Sequence, residues 1–309
     1  MPQRASSLQP SGIWGGTMTF PGCNIFSKMV GRTTARASAI GADKSGSRIG
    51  SVLHAAALCM ALAAGFAVPG HAAPLDDAAE RYRPYLIQDI DRALMSAREL
   101  RACLIAGDLA GAKRAWVDAR VGWERSEVFT SGFVPELDRE IDAWPNALQG
   151  FHAIEAKLFG ANRTDIEDEA NALMLRLEEL STTVRVIKLT PQALLNGIAR
   201  LAYEVGESKV DGGESRVSGT SVDDMRHNMD GIELAYRTIF APAIEANDPA
   251  LAAAVQHKID ELKAMLDPPA LKRLDPDKLR EVSEEIVLGL QNAAPRIALQ
   301  KPSLEESGQ

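Results

Sequence analysis

The sequence predicts an all-α protein, and three observations carry that expectation. Beyond Ala78, apolar residues recur at three-to-four-residue spacing in nearly every segment. No stretch alternates apolar and polar residues in the manner of a half-buried strand. Aromatic residues make up only 5% of the chain, and β-branched residues are sparse. Seven or eight helices account for the pattern, in a chain long enough to bury one or two cores. No fixed-period repeat is present, which sets a solenoid aside.

The elements follow in order. Tyr82 to Ala106 carries Tyr85, Ile87, Ile90, Leu94, Ala97, Leu100 and Leu104 at helical spacing. Gly107-Asp108 ends that helix and caps the next, which runs from Leu109 through Phe129. Phe133-Val134-Pro135 and Pro145-Asn146 interrupt the pattern ahead of the segment that holds His152. A helix from Asn162 or Thr164 reaches about Ile187, and Thr190-Pro191 caps and opens another that extends to about Ser208. Lys209 to Thr220 is rich in Gly and Ser and reads as a loop. Helices over Ser221–Ile244, Pro249–Leu266 and Pro276–Ala293 complete the chain.

The first 73 residues stand apart. An apolar, Ala-rich stretch from Ile49 to Val68 follows Arg32, Arg36, Lys44 and Arg48 and ends in the small-residue site His71-Ala72-Ala73. This is the pattern of a secretory signal peptide, with residues 74–309 as the mature helical domain and the periplasm as its destination. Retention as a membrane anchor is opposed by His54 and by the cleavage-like end, so no stable membrane insertion is expected after cleavage. Six of the 34 basic and one of the 42 acidic residues precede Pro74, so the mature chain carries a net charge of −13. A surface that negative disfavours nucleic acid and anionic membranes as partners and attracts cations. Cys23 and Cys59 fall in the leader, and Cys59 lacks the small residue expected before a lipidated cysteine. Cys103 alone remains, which excludes an internal disulfide and a cysteine-rich zinc site and reads as a buried small hydrophobe.

Chemistry concentrates in the middle of the chain. Glu124 and Glu127 project from one helix face, and His152 and Glu155 share another at the same spacing. Carboxylates with one imidazole suit iron, manganese, calcium or magnesium and tolerate zinc or copper. The bland alternative is a solvated face in which Glu124 and Arg125 join a surface salt-bridge pattern. Against it, Trp123, Val128, Phe129, Phe151 and Ile154 flank these groups, and carboxylates among core residues need a cationic partner.

These residues resemble a known family. Ala106-Gly107-Asp108-Leu109, Ala119-Arg120-x-x-Trp123-Glu124-x-x-Glu127, Leu137-Asp138-x-x-Ile141-Asp142, Gly150-Phe151-His152-x-x-Glu155, Glu204-x-x-x-Ser208-Lys209 and Asn228-Met229-Asp230-Gly231 are similar, in order and spacing, to the imelysin-like domain of the EfeO/EfeM iron-uptake proteins. The resemblance implies two packed four-helix bundles with a cleft between them. It places a metal site on Glu124, Glu127, Asp142, His152, Glu155 and Glu204, with iron as the expected ion and zinc, copper or calcium as others. Glu204 reads equally well as a core-edge carboxylate paired with Lys209 or Arg200. The resemblance further implies an inner-membrane iron permease and a periplasmic haem peroxidase as partners. Trp123 stands where relatives often carry Tyr, an exchange that preserves packing, and Gly213 to Gly219 replaces a Tyr- and His-containing stretch. The chain resembles the short, EfeM-like form. Delivery of a metal ion to a permease is the expected function, a binding role ahead of catalysis. An imelysin-type metallopeptidase and a binding protein for an acidic polysaccharide such as alginate are the alternatives.

Overall fold

A computed structural model describes residues 75–142, 148–210, 215–267 and 274–304, all within the compact unit Gly65–Gln309. The expected signal peptide (residues 1–73), Pro145-Asn146 and Gly213-Glu214 lie outside the described residues. Helix α1 (Leu75–Ile105) buries Tyr82, Leu86, Ile90, Ala93, Ala97, Leu100 and Leu104, the stripe its sequence spells out. It begins earlier than the expected Tyr82, because the helix runs through Pro84 and forgoes one backbone hydrogen bond there. Gly107, at φ +68°, ends the helix, and Asp108 caps α2 (Leu109–Phe133) by accepting from the Gly111 N–H at 2.8 Å. Two short helices, α3 (Pro135–Asp142) and α4 (Gly150–Glu155), precede a π-helical turn over Ala156–Gly160. Then come α5 (Glu167–Val186) and α6 (Pro191–Glu204), which opens on Pro191 as expected. Thr190 occupies the capping position without a side-chain capping bond. A second π turn, Val205–Lys209, extends α6, so Lys209 belongs to a helical turn rather than to the loop the sequence suggests.

The predicted Ser221–Ile244 helix is divided into α7 (Ser221–Ala235), a π turn over Tyr236–Phe240 and α8 (Ala241–Glu245). Asp248 and Asp275 cap α9 (Pro249–Met265) and α10 (Pro276–Ala293). Among the described residues there is no strand. Cys103 is half-buried rather than buried, its Sγ 3.7 Å from Glu99 Oε1.

Two bundles result. α1, α2 and α5 pack together with α3 and α4 completing the fourth side, and α6, α7, α9 and α10 form a closed ring of neighbours. α2 is common ground, since it packs on α1 and also on α6 and α7. Glycines set how closely it is approached. A methyl group at Gly197 of α6 would collide with the Val128 carbonyl of α2, and one at Gly231 of α7 with the Arg125 carbonyl. The two close crossings flank Glu127 and bring α7 within side-chain reach of the acidic face of α2.

Gly231→Ala is therefore expected to lower the unfolding free energy by about 1–3 kcal/mol, read from the denaturant midpoint. Helix propensity alone would favour the alanine by roughly 1 kcal/mol, so a gain in stability would show that the crossing is not tight.

Candidate metal centre

Arg120, Trp123, Glu124 and Glu127 recur at three- and four-residue spacing along α2 and face the junction of the bundles. Arg120 and Glu124 are completely buried and Glu127 nearly so. The solvated-face alternative is thus wrong for Glu124. Its neighbour Arg125 points elsewhere, to Asp89 at 2.9 Å and Asp230 at 3.4 Å. Asp142 arrives as the last residue of α3 and accepts a hydrogen bond from the Trp123 indole N–H at 3.1 Å. Trp123 therefore does more than preserve packing.

His152 and Glu155 come from α4. Gly150, at φ +83°, turns the chain into that helix in a backbone region costly for other residues. The Trp116 indole N–H then ties down α4 through the Phe151 carbonyl at 3.1 Å. With Nδ1 of His152 3.0 Å from Glu155 Oε2, Nε2 is the nitrogen that faces Asp142, 3.7 Å from its Oδ2. Glu155 is engaged at both oxygens, because Oε1 accepts from the backbone N–H and the hydroxyl of Ser218, each at 2.7 Å.

One carboxylate oxygen each from Glu124, Glu127 and Asp142 lies within 4.8 Å of the others, a spacing that could hold a metal ion. His152 borders this group through Asp142, and Glu155 stands behind His152. Glu204 is not in the group; it is half-exposed and pairs with Arg200 at 3.0 Å. His227 pairs with Asp230 at 3.7 Å, and His257 is exposed.

Sequence reading missed the residues that compensate these charges. Arg120 bridges Glu124, Asp142 and Asp224, with its guanidinium 5.3 Å from the Phe151 ring and 5.8 Å from the Trp116 ring. Lys209 lies 3.0 Å from both Glu124 Oε2 and Glu127 Oε2. Asn228 Nδ2, from α7, lies 2.8 and 2.7 Å from the same two oxygens. Asp224 accepts from the Ser215 hydroxyl. The advance signals were burial logic, since carboxylates among core residues need cations, and the i,i+4 spacing of Arg120 and Glu124; Lys209 and Asn228 come from helices roughly a hundred residues away.

Electrostatics follow from these contacts. Burial opposes ionisation of Asp142, but Arg120 and His152 hold its carboxyl far below the ordinary range. Glu124 is lowered too, as Arg120 and Lys209 outweigh burial. Glu155 is lowered by His152 and Ser218 against burial. For Asp224 burial wins and its carboxyl is raised. Burial disfavours a charged His152, yet Asp142 and Glu155 push it up to about 9. Oxygen donors with one imidazole nitrogen fit a hard or borderline cation. Asn228 turns its amide nitrogen to the glutamates, and its wholly buried Oδ1 has no hydrogen-bond partner among the described residues.

The imelysin family model (peptidase M75) matches residues 78–148 and 146–300. The chain belongs to the imelysin family. Among imelysin relatives, an Efem/EfeO family lipoprotein of Staphylococcus haemolyticus is 29% identical over 206 residues, spanning 63% of this chain and 71% of the relative. One from Staphylococcus aureus strain MRSA252 is 28% identical over 209 residues, 64% and 73% of the two chains. A crystal structure from Parabacteroides distasonis, of a protein named as an iron-regulated protein A precursor, superposes with a TM-score of 0.54. At 16% identity over 72% of this chain and 95% of that one, it shows the fold alone. The all-α imelysin fold and the EfeO/EfeM-type resemblance both hold.

Removal of Arg120 would leave buried carboxylates uncompensated. Arg120→Met is expected to cost about 3–5 kcal/mol in metal-free protein, read by urea unfolding, against under about 1 kcal/mol for Arg163→Met, an exposed control paired with Asp165. A second expectation concerns pH. Because folding raises the His152 pKa from its ordinary value to about 9, its contribution is complete below pH 6.5 and is lost as pH rises through 9. Unfolding free energy of the metal-free protein should fall between pH 7 and 9.5, and that decline should flatten in His152→Gln.

Proposed function

We propose that this imelysin-family protein binds a metal ion reversibly, iron foremost, as an exported component of an Efe-type uptake system. The carrying observation is the convergence of Glu124, Glu127 and Asp142 oxygens within 4.8 Å at a buried junction of two bundles. The names of its relatives support the assignment to iron, and their description as lipoproteins supports export. Among the described residues, no helix is long and apolar enough to cross a membrane.

Each residue has a part in this reading. Glu124, Glu127 and Asp142 supply anionic oxygens, and His152 offers Nε2 once its proton leaves. Glu155 holds the other imidazole nitrogen and fixes the ring's orientation, and Trp123 steadies Asp142. Glu204, half-exposed and paired with Arg200, is proposed to lie outside the group of oxygens that holds the ion. A permease that receives the ion and a haem peroxidase that acts alongside it are the proposed partners, and the periplasm is the proposed compartment.

The family's peptidase designation raises hydrolysis as an alternative. Hydrolysis needs a carboxylate ready to take a proton from water. Both oxygens of Glu155 are already committed to His152 and Ser218, which supports binding over cleavage.

Titration calorimetry of chelator-treated protein with Fe²⁺ under anaerobic conditions, and with Zn²⁺, Cu²⁺, Mn²⁺ and Ca²⁺, tests this reading. Tight iron binding is expected, weakened at least about 100-fold in Glu124→Gln, Glu127→Gln, since two charged donors are lost. Binding that survives in the double variant would place the ion elsewhere. Metal-dependent cleavage of unfolded casein would favour the peptidase.

A further inference from the structure

Lys209 occupies an unusual position for a lysine. Its side chain is almost wholly buried, and its ammonium lies at 3.0 Å from one oxygen of Glu124 and one of Glu127. Both residues belong to the trio whose oxygens converge as a cation site. A positive charge bridging the two glutamates is what a metal ion there would be, and the lysine already supplies one. The amide nitrogen of Asn228 contacts the same two oxygens, and its Oδ1 is wholly buried without a hydrogen-bond partner among the described residues. Asp142 adds a third converging oxygen to those of the two glutamates, so the surroundings suit a cation of higher charge.

The backbone explains how Lys209 gets there. It is the last residue of the π turn Val205–Lys209, where the wider turn re-aims the chain relative to α6. Gly206 seats that turn against α10, since a Cβ there would come within 2.7 Å of Ser283 Cβ. Because Lys209 closes its element, its four-carbon stem can swing without unwinding α6.

We propose that Lys209 is the specificity-determining residue of this site, a tethered cation that holds Glu124 and Glu127 together in the ion-free state and that an incoming ion must displace. The inference rests on the metal-binding reading above and adds what the ion competes with. A monovalent ion brings no more charge than the ammonium and lacks its tether, so exchange gains nothing against the cost of desolvation. A multivalent ion brings additional charge and wins. Lys209 thereby sets a charge threshold, an element that acts against the wrong ligand.

Two measurements on the purified protein test the proposal, with Mn²⁺ alone as a redox-stable probe. First, unaltered protein is acylated with an N-hydroxysuccinimide acetate, and modification of Lys209 is followed by peptide mass spectrometry. Labelling of Lys209 is expected to be slow without metal and several-fold faster with saturating Mn²⁺, while exposed Lys301 labels equally in both. Second, Lys209→Met is expected to bind Mn²⁺ about tenfold more tightly than the unaltered protein, and K⁺ at 0.1 M is expected to compete in the variant only. Mn²⁺ binding by both proteins, with Lys209 labelling unchanged and affinity equal or weaker in the variant, would overturn the proposal and leave the metal-binding function standing. Absence of Mn²⁺ and Fe²⁺ binding in both proteins would overturn the function and the proposal together.

Discussion

Charge compensation inside the bundle junction is the constraint on which the rest of the site depends. Glu124, Glu127, Asp142, Glu155 and Asp224 gather where α2, α3, α4 and α7 meet, and carboxylates removed from water are tolerated only with matched cations and hydrogen bonds. Arg120 answers three of them and does so from the same helix as Glu124 and Glu127. Its planar fork can serve several oxygens at once, and its face lies against the Phe151 and Trp116 rings, which hold it in place. Lys209 answers Glu127, and Glu124 a second time, from the second bundle, and the His152 imidazolium answers Asp142 and Glu155.

Geometry follows from that constraint through the close helix crossings. The compensating groups reach their carboxylates only because α6 and α7 lie near enough to α2. Gly197 and Gly231 remove the side chains that would keep those backbones apart. Asn228 stands one helical turn before Gly231 and so falls opposite Glu124 and Glu127. Packing and electrostatics are here one arrangement, since loosening a crossing would separate an ion pair and breaking an ion pair would strain the crossing.

Much of the fold was legible in the sequence because helical periodicity is a local signal. The α1 stripe, the Gly107-Asp108 punctuation and the Pro191 start all appear where their spacing puts them. The exceptions are places where tertiary packing overrides local preference: the helix through Pro84, and the π turns at Lys209 and Tyr236. At the site, Glu124, Glu127, Asp142, His152 and Glu155 were named in advance from motif spacing and resemblance. Arg120 was in view only as a motif letter, and Lys209 and Asn228 only as part of later segments. The contacts of Lys209 and Asn228 with the two glutamates, and that of Arg120 with Asp224, span 82 to 104 residues of chain, which no local pattern encodes.

On the metal-binding reading proposed above, a site for a released cargo has to exist in two states, and the empty one is the harder to build. Four buried carboxylates and the partly buried Asp142, with no internal cation, would repel one another, and an ion would then be needed for folding, as in proteins whose metal binding is their folding free energy. Arg120, Lys209 and His152 avoid that dependence by holding the junction together without an ion. In that reading they also compete with the ion, so an internal cation that stabilises the empty protein would weaken the loaded one. The carboxylates of α2 are joined to the second bundle through Lys209 and Asn228. An ion that displaced Lys209 would therefore loosen one tie between the bundles while strengthening the oxygen cluster on the first. Occupancy and bundle cohesion are thus linked by the same two glutamates, and a substitution that improves one comes at the expense of the other.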